Sequence, residues 1–503
     1  MTSPSASTAA SSAPLARAAD TTLTEQLARR FSDRILQRLL PPGARLPSVR
    51  DCARRHGVSA STVVGAYDLL QAQGLVQARP QRGFFVRAAA SPPLREAAPR
   101  RTAALPAPVD ATALIRSMFQ AQGGRPAPGM GTLPEDWLDA GLLQRALRRA
   151  SSAAAAAGWL RYGDPAGDAS LRAALARRLA DIGVPGAAAQ IVTTAGATQA
   201  LDIVSRTLLQ PGDAVLVDEP GWAVEYARLT RAGMRLLPVP RGVDGPDLAV
   251  LEQLLREHRP RLYVTVSVLQ NPTGCSLSPA AAHQVLRLAD AFELTIVEDD
   301  TYAWLAPPHA TRLSQLDGLR RTIYVSGFSK ILTPQWRVGY VAAAPALAER
   351  FVDTKLLSTL SSPGPLEQAL ACCLEQGTLR RHAERVMQRL DAARARTERL
   401  ARDAGCHFVT PPQGLFGWVD VGVDTERLAQ ALLDDGWLIA PGALFHATPR
   451  STTLMRVNFA TAQDARFWRR LKALRGKWGA ATSLVPPRGA AGKAGPGVLS
   501  TAN

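Results

Sequence analysis

Lysine is scarce in this 503-residue chain: it stands at positions 330, 355, 472, 477 and 493, and arginine supplies every other one of the 59 basic residues. Charge alone is therefore a poor explanation of any one lysine. Cysteine is equally sparse, at Cys52, Cys275, Cys372, Cys373 and Cys406, and no pair has CxxC or zinc-ligand spacing. That excludes a disulfide framework and a zinc ribbon and implies reduced thiols packed in the interior; adjacent Cys372 and Cys373 fall in a helical pattern. No stretch approaches the ~18 uninterrupted apolar residues of a membrane span. The opening MTSPSASTAASSAPLARAAD lacks the charged and apolar regions of a secretory signal. A soluble protein of the cytoplasm is expected, associated with the nucleoid if its basic charge serves DNA. Internal repeats are absent.

Acidic residues are also in deficit, 42 against 59 basic ones, leaving a net charge of +17 and a pI near 10.5. Such an excess asks for a polyanion, and where it lies matters more than its size. Residues 22–88 hold eleven arginines against four acids, a net +7 in about a seventh of the chain. The same segment is patterned. A helix is expected from Leu23 to Leu40, with apolar positions 27, 31, 35 and 39 on one face. Ser48 caps a short helix that Gly57 stops, Ser59 caps a second, and Val63, Ala66, Tyr67 and Leu70 form its inward stripe. LVQARPQRGFFV then reads as a two-stranded wing. Helix, turn, helix and wing, all basic, make a winged helix-turn-helix that binds double-stranded DNA or, alternatively, another protein.

The phrase PPGARLPSVRDCARRHGVSASTVVGAYDLLQAQGLV resembles the GntR-type DNA-binding domain almost throughout. The resemblance implies that Arg50 contacts DNA from the helix before the recognition helix. It implies that Ser59, Ser61 and Thr62 contact backbone or bases, and that Arg82 and Gly83 form a wing tip in the minor groove. Two positions depart from the family, Ala60 and Gly65, where arginines are usual. If both face the groove, operator contacts are fewer, each good bidentate contact being worth ~1–3 kcal/mol.

Residues 1–21 have a disordered composition, 89–128 are a Pro/Ala/Gly/Arg-rich linker, and 479–503 form a Gly/Ala/Pro-rich tail. From 129 to 478, apolar strand-like runs alternate with helical patterns, which predicts an α/β domain with a mostly parallel sheet. Ligands collect at the carboxyl ends of the strands of such sheets. Four strand ends carry residues suited to one ligand. After AVLVDEP comes Trp222, whose indole can stack on an aromatic ring or simply belong to the core. After RLYVTVSVLQ, the NPTG turn aims the Asn271 amide, a donor for a phenolate oxygen. FELTIVEDDTY delivers Asp299, with Tyr302 three residues on; a carboxylate beside a pyridine nitrogen keeps it protonated. RTIYVSGFSK delivers Lys330. A primary amine condenses with an aldehyde to a Schiff base, and a guanidinium does not. Arg337 is spaced to hold a phosphate, and the TTAGATQA helix start, with Gly196, Ala197 and Thr198, offers backbone N–H groups to one. Tyr162 precedes another helix. Arg456, inside the apolar run TLMRVNFA, needs a planar anionic partner such as a carboxylate.

Residues 129–478 resemble the fold-type I, aminotransferase-class pyridoxal-phosphate domain. Joined to a GntR-type head, the whole chain resembles the MocR subfamily of transcriptional regulators. The resemblance implies a pyridoxal 5′-phosphate cofactor, with Lys330 as its Schiff-base lysine and Asp299 on the pyridine nitrogen. Asn271 and Tyr302 would meet the ring oxygen, and Trp222 the ring face. Ala197, Thr198, Ser329 and Arg337 would hold the phosphate, with Tyr162 reaching it from the second subunit of a domain-swapped homodimer. Arg456 would bind the carboxylate of an amino-compound effector. The family usually has a hydroxyl three residues before the lysine; here Gly327 stands there, with Ser326 one place earlier as a substitute source. Ala197 also lacks a hydroxyl. Two functions remain open: a regulator that senses an amine, an amino acid or the cofactor itself through Lys330, and a working aminotransferase with an accessory DNA-binding domain. Metal chemistry is not expected.

Overall fold

The computed structural model describes residues 21–36, 40, 42–79, 82–87, 127–151, 157–448 and 450–482. The expected unstructured N-terminus and tail, save for their inner edges, and nearly all of the expected linker lie outside the described residues.

The head begins with α1 (Leu23–Leu36), whose Leu27, Phe31 and Ile35 turn inward; the expected continuation over 37–39 is outside the described residues. Next come α2 (Val49–His56) and α3 (Ala60–Ala72). Ser48 Oγ accepts from Asp51 N, Ser59 Oγ accepts from Thr62 N, and Gly57 closes α2 at φ +65°. These are the orphan-donor and left-handed stop positions that glycine and short polar side chains serve at low cost. β1 (Val76–Arg79) and β2 (Gly83–Val86) pair antiparallel from Val76↔Val86 to Arg79↔Gly83, forming the wing. Tyr67 lies between Phe31 and Phe84, at 5.7 and 5.0 Å between ring centroids, and its hydroxyl donates to Pro47 O at 2.9 Å. This small core contains Leu27, Val63, Leu70 and Val86 as well, each side chain contributing roughly 1.5–3 kcal/mol on burial.

The larger domain is built on a seven-stranded sheet. Its strands are β3 (Ile191–Thr194), β4 (Ala214–Glu219), β5 (Arg235–Pro240), β6 (Leu262–Thr265), β7 (Thr295–Asp299), β8 (Thr322–Gly327) and β9 (Gly339–Ala342), in the order β3-β9-β8-β7-β6-β4-β5. Adjacent strands are parallel except at β9, which runs against both β3 and β8. Alternation along β7 sends Ile296 to one apolar layer and Val297 to the other. The layers are covered by α4 (Ala140–Ala150), α5 (Ala169–Asp181), α6 (Ala197–Leu208), α7 (Ala223–Arg231), α8 (Leu248–His258), α9 (Pro279–Ala291), α10 (Leu313–Asp317), α11 (Pro345–Thr359) and α12 (Gly364–Glu375). Helices on both faces explain why the strands read as continuous apolar runs. β6 is shorter than the run RLYVTVSVLQ predicts: it stops at Thr265, and Leu269 takes φ +51°, a loop conformation.

A small subdomain follows, with α13 (Thr378–Asp403), β10 (His407–Phe408), β11 (Phe416–Asp420), α14 (Thr425–Asp434), β12 (Ala440–Pro441), β13 (Leu454–Asn458) and α15 (Ala465–Thr482). Its antiparallel sheet has the order β10-β11-β13-β12, packed on α13, α14 and α15 around Leu428, Leu432, Val457 and Phe467. Among the described residues no helix is long and apolar enough to cross a membrane.

Candidate functional site

The carboxyl ends of β4, β6, β7 and β8 converge, and the small subdomain closes over them. Asp299 ends β7, 8 % exposed. Its Oδ1 accepts from Thr301 N at 3.0 Å and from the Thr301 hydroxyl. Burial nevertheless dominates and pushes this carboxyl up to about 6. A cationic partner at the ring-nitrogen position would draw it back down. Trp222, Glu225, Thr265 and Gln270 line one cavity with Asp299, which puts the indole and the carboxylate at a common space. The neighbouring acids do different work. Glu298 accepts from Ser267 Oγ and from the N–H groups of Leu313 (2.6 Å) and Ser314 (2.8 Å). Asp300 is taken by Arg312 (2.6 Å) and Tyr324 (2.8 Å).

Lys330 follows β8 at the base of the pocket, and its Nζ donates to Gly131 O at 2.7 Å. Burial, and then the positive charge of Arg456, lower this amine to about 8. Roughly a tenth is thus neutral and nucleophilic at pH 7, far more than for an ordinary lysine. Arg456, 4 % exposed on β13, lies over Phe416 at 4.4 Å and Phe445 at 5.1 Å. Its Nη1 donates to Asn271 Oδ1 at 3.0 Å and its Nη2 to Gly129 O at 2.6 Å, while Nε has no partner among the described residues. Asn271 also meets the Tyr302 hydroxyl, and burial raises that phenol well above its ordinary range. Lys330, Asp299, Asn271, Tyr302 and Arg456 thus lie close enough to act on one another.

The segment 127–132 laps across it. Ala127 O accepts from Thr461 Oγ1, Pro128 O from Asn458 N, and Met130 O and Thr132 O from Asn458 Nδ2. A Cβ on Gly129 would come within 2.4 Å of Ala440 N, so glycine is required for this close approach. This strap has no local signature, because its Pro-Ala-Pro-Gly composition reads as linker. Phe416 and Phe445 were missed because their roles depend on where the fold brings Arg456, whereas Thr301, two residues past Asp299, was a local signal that was overlooked.

A second cradle opens at the start of α6. Gly196 is its N-cap, at φ +86°, and no side chain caps it. Arg337 Nη2 reaches Ala195 O at 2.7 Å, and its Nη1 reaches Ser329 Oγ at 3.2 Å. A Cβ on Gly196 would fall 2.5 Å from the Arg337 guanidinium, and one on Gly339 would fall 2.6 Å from Gly196 C. These glycines permit the close approach of Arg337 to the start of α6, a cationic, N–H-bearing corner suited to an anion. Ala197 and Thr198 form its first turn. Ser326 does not substitute for the hydroxyl missing at Gly327: it faces the opposite side of β8 and donates to Asp300 O at 2.8 Å. Strand alternation separates the two positions. Tyr162 is 85 % exposed and stands outside its own chain's pocket.

In the head, Arg50, Ser48, Arg54 and Ala60 line an open concave face where α2 meets α3. Ser61, Arg82 and Gly83 are exposed, Thr62 is half-buried, and Arg45 approaches the wing tip within 3.5 Å of where a Gly83 Cβ would stand. Ser59 Oγ is engaged by Thr62 N, Ser61 Oγ and Thr62 Oγ1, so its first duty is to cap α3. Gly65 departs from the expected groove-facing placement. A Cβ there would meet Thr24 Cγ2 of α1 at 3.1 Å, so the position serves helix packing. Of the two family departures, Ala60 alone lies on the open face.

The residues fit pyridoxal 5′-phosphate: a buried amine, a carboxylate at a cavity shared with an indole, an amide and a phenol together, and a phosphate cradle that Cβ atoms would fill. Comparisons point the same way. The family description "Bacterial regulatory proteins, gntR family" matches residues 23–86, and "Aminotransferase class I and II" matches residues 129–474. The chain is 32 % identical over 457 residues to the uncharacterized HTH-type transcriptional regulator YdcR of Escherichia coli, covering 87 % of this chain and 94 % of that protein. It is 31 % identical over 460 residues to the probable rhizopine catabolism regulatory protein MocR of Rhizobium meliloti, covering 87 % and 88 %. Among solved structures it is similar to LysN, the α-aminoadipate aminotransferase of Thermus thermophilus complexed with N-(5′-phosphopyridoxyl)-L-leucine. The TM-score is 0.66 and the identity 25 %, over 73 % of this chain and 95 % of that one.

Proposed function

The chain belongs to the MocR subfamily of GntR-type regulators, a DNA-binding head joined to an aminotransferase-type domain that takes pyridoxal 5′-phosphate, and from that premise we propose that it is a transcription factor sensing a carboxylated amino compound at Lys330 and Arg456. One observation carries the reading: a GntR-type head and an aminotransferase-type domain with a buried lysine amine occur in one chain. The cofactor supplies a reactive aldehyde and an electron-withdrawing ring when bound. Everything else falls to the protein. Lys330 presents an easily deprotonated amine, Asp299 holds a proton at the ring nitrogen, Asn271 and Tyr302 address the ring oxygen, and Trp222 covers the ring. Ala197, Thr198, Ser329 and Arg337 cradle the phosphate. Arg456 takes the effector's carboxylate in place of Gly129 O, so effector binding exchanges one charge-assisted hydrogen bond for another.

The working unit in this proposal is a cytoplasmic homodimer. Tyr162, Leu160 and Leu357 are 85 %, 88 % and 90 % exposed, an apolar surface suited to a second copy and to carrying Tyr162 into that copy's phosphate cradle. Exchange of heads between subunits is part of the proposal. The chain between described residues 87 and 127 can span on the order of 130 Å when extended, enough to reach either subunit. The test is spectroscopic and genetic together. Purified protein should carry a visible absorbance band that Lys330→Ala abolishes, and it should protect a promoter near its own gene. A mutant with an unchanged band, or a protein that protects no DNA, would sink the reading. Rapid multiple-turnover amino-group transfer to keto acids would instead favour the aminotransferase.

A further inference from the structure

Among the described residues, a carboxylate of the small subdomain, Asp434, meets the head. Asp434 is the last residue of α14, and it faces two arginines from two different head helices. Arg34 Nη1, on α1, donates to its Oδ1, and Arg55 Nη1, on α2, donates to its Oδ2 at 2.8 Å. Arg34 Nη2 also reaches Leu433 O at 3.4 Å. Arg34's side chain is 4 % exposed and Asp434's 15 %, so this pair is sheltered from solvent screening. A helix C-terminus adds its own negative end to the attraction. Because the two arginines come from separate helices, the contact fixes the rotation of the head as well as its distance. It leaves Arg50, Ala60, Ser61 and Arg82 exposed.

Asp434 and Arg456 also ride on one rigid body. Arg456 pairs with Ala440 across β12 and β13. Gly442 N, just past β12, donates to Thr425 Oγ1 at the start of α14, and Thr425 N donates to Thr452 O. Leu428, Leu432, Ile439 and Val457 share the core between them. A shift of the subdomain on engaging a carboxylate therefore moves Asp434 with it.

We propose that Asp434 is the docking point through which the small subdomain orients the DNA-binding head, with Arg34 and Arg55 as positioning residues. In a dimer with exchanged heads the same three side chains join two subunits. The inference rests on the regulator reading, and its test separates the two. Spin labels at Arg29→Cys and Arg402→Cys, in the full-length protein with Cys372→Ser, report the head-to-subdomain distance without DNA. The distance distribution should be narrow, should broaden in Asp434→Arg, and should narrow again when Arg34→Asp and Arg55→Asp are added to that chain. Asp434→Asn, the milder variant, should lower the preference between DNA fragments of different half-site spacing at least fivefold while leaving affinity for a single half-site unchanged. Distributions and spacing preference indifferent to both Asp434 variants, or a reversed-charge triple variant that stays broad, would overturn the proposal. A protein that shows the distance changes but binds no DNA refutes the regulator reading and leaves the docking contact standing.

Discussion

Gly327→Ser should tighten the hold on pyridoxal 5′-phosphate. Gly327 ends β8 with its missing side chain aimed at the phosphate cradle: a Cβ would lie 3.3 Å from Ala197 N, 3.6 Å from Val338 O and 3.7 Å from Ala197 Cβ. Its φ is not positive, so the backbone accepts a side chain. The 3.3 Å contact is tight and asks the start of α6 to give by a few tenths of an ångström, at a cost on the order of 1 kcal/mol. A serine hydroxyl beside Ala197 N gains a charge-assisted hydrogen bond to phosphate, worth roughly 1.5–3 kcal/mol. The net is about 0.5–2 kcal/mol, or a two- to thirtyfold lower dissociation constant. Titration of the apoprotein followed by absorbance measures it, with Gly327→Ala as the control that adds the Cβ without the hydroxyl. If serine binds the cofactor no more tightly than alanine while the apoprotein's Tm is unchanged, the placement of the cradle is wrong.

Other perturbations reach the remaining parts of the site. Reconstitution of the apoprotein should accelerate as pH rises through about 8 and then level off, because burial and Arg456 lower the Lys330 amine to that value and only the neutral amine attacks an aldehyde; a rate still climbing toward pH 10 contradicts the assigned environment. Arg456→Gln should weaken an amino-acid effector roughly 10- to 150-fold, and the matching amine without a carboxylate far less, as binding calorimetry would show. Ser59→Ala should cost about 1 kcal/mol of head stability through loss of the α3 cap, seen as a lower Tm for the head's transition; an unchanged Tm would return Ser59 to the DNA-contacting set alone. With exchanged heads, co-expressed Asp434→Arg chains and Arg34→Asp/Arg55→Asp chains should together recover the narrow label distances that neither shows alone.

The head was legible almost residue by residue because its signals are local: Ser48, Ser59 and Gly57 mark helix ends through hydrogen bonds and backbone angles within four residues. The strands leading to Trp222, Asp299 and Lys330 were legible for a related reason, while the one before Asn271 was read too long, since β6 stops at Thr265. Runs of buried strand stop at polar, turn-forming residues, and the chemistry of each residue points to one kind of ligand. Gly65 was misjudged because a glycine inside a helix does not reveal which neighbour it admits; Thr24 of α1 decides that. Ser326 was misjudged by one residue of strand alternation. The strap over Arg456 and the Asp434 contact depend on pairs separated by more than 300 residues, for which a single sequence carries no local signal.

The central claim is that DNA binding answers to an amino compound through Lys330. The most direct measurement selects bound fragments from genomic DNA with the cofactor-loaded protein, then titrates their affinity against candidate amino acids for wild type and Lys330→Ala. The wild type should retain specific fragments whose affinity or spacing preference shifts with at least one carboxylated amine, and Lys330→Ala should bind the same fragments without that shift. An equal shift in Lys330→Ala would contradict the account.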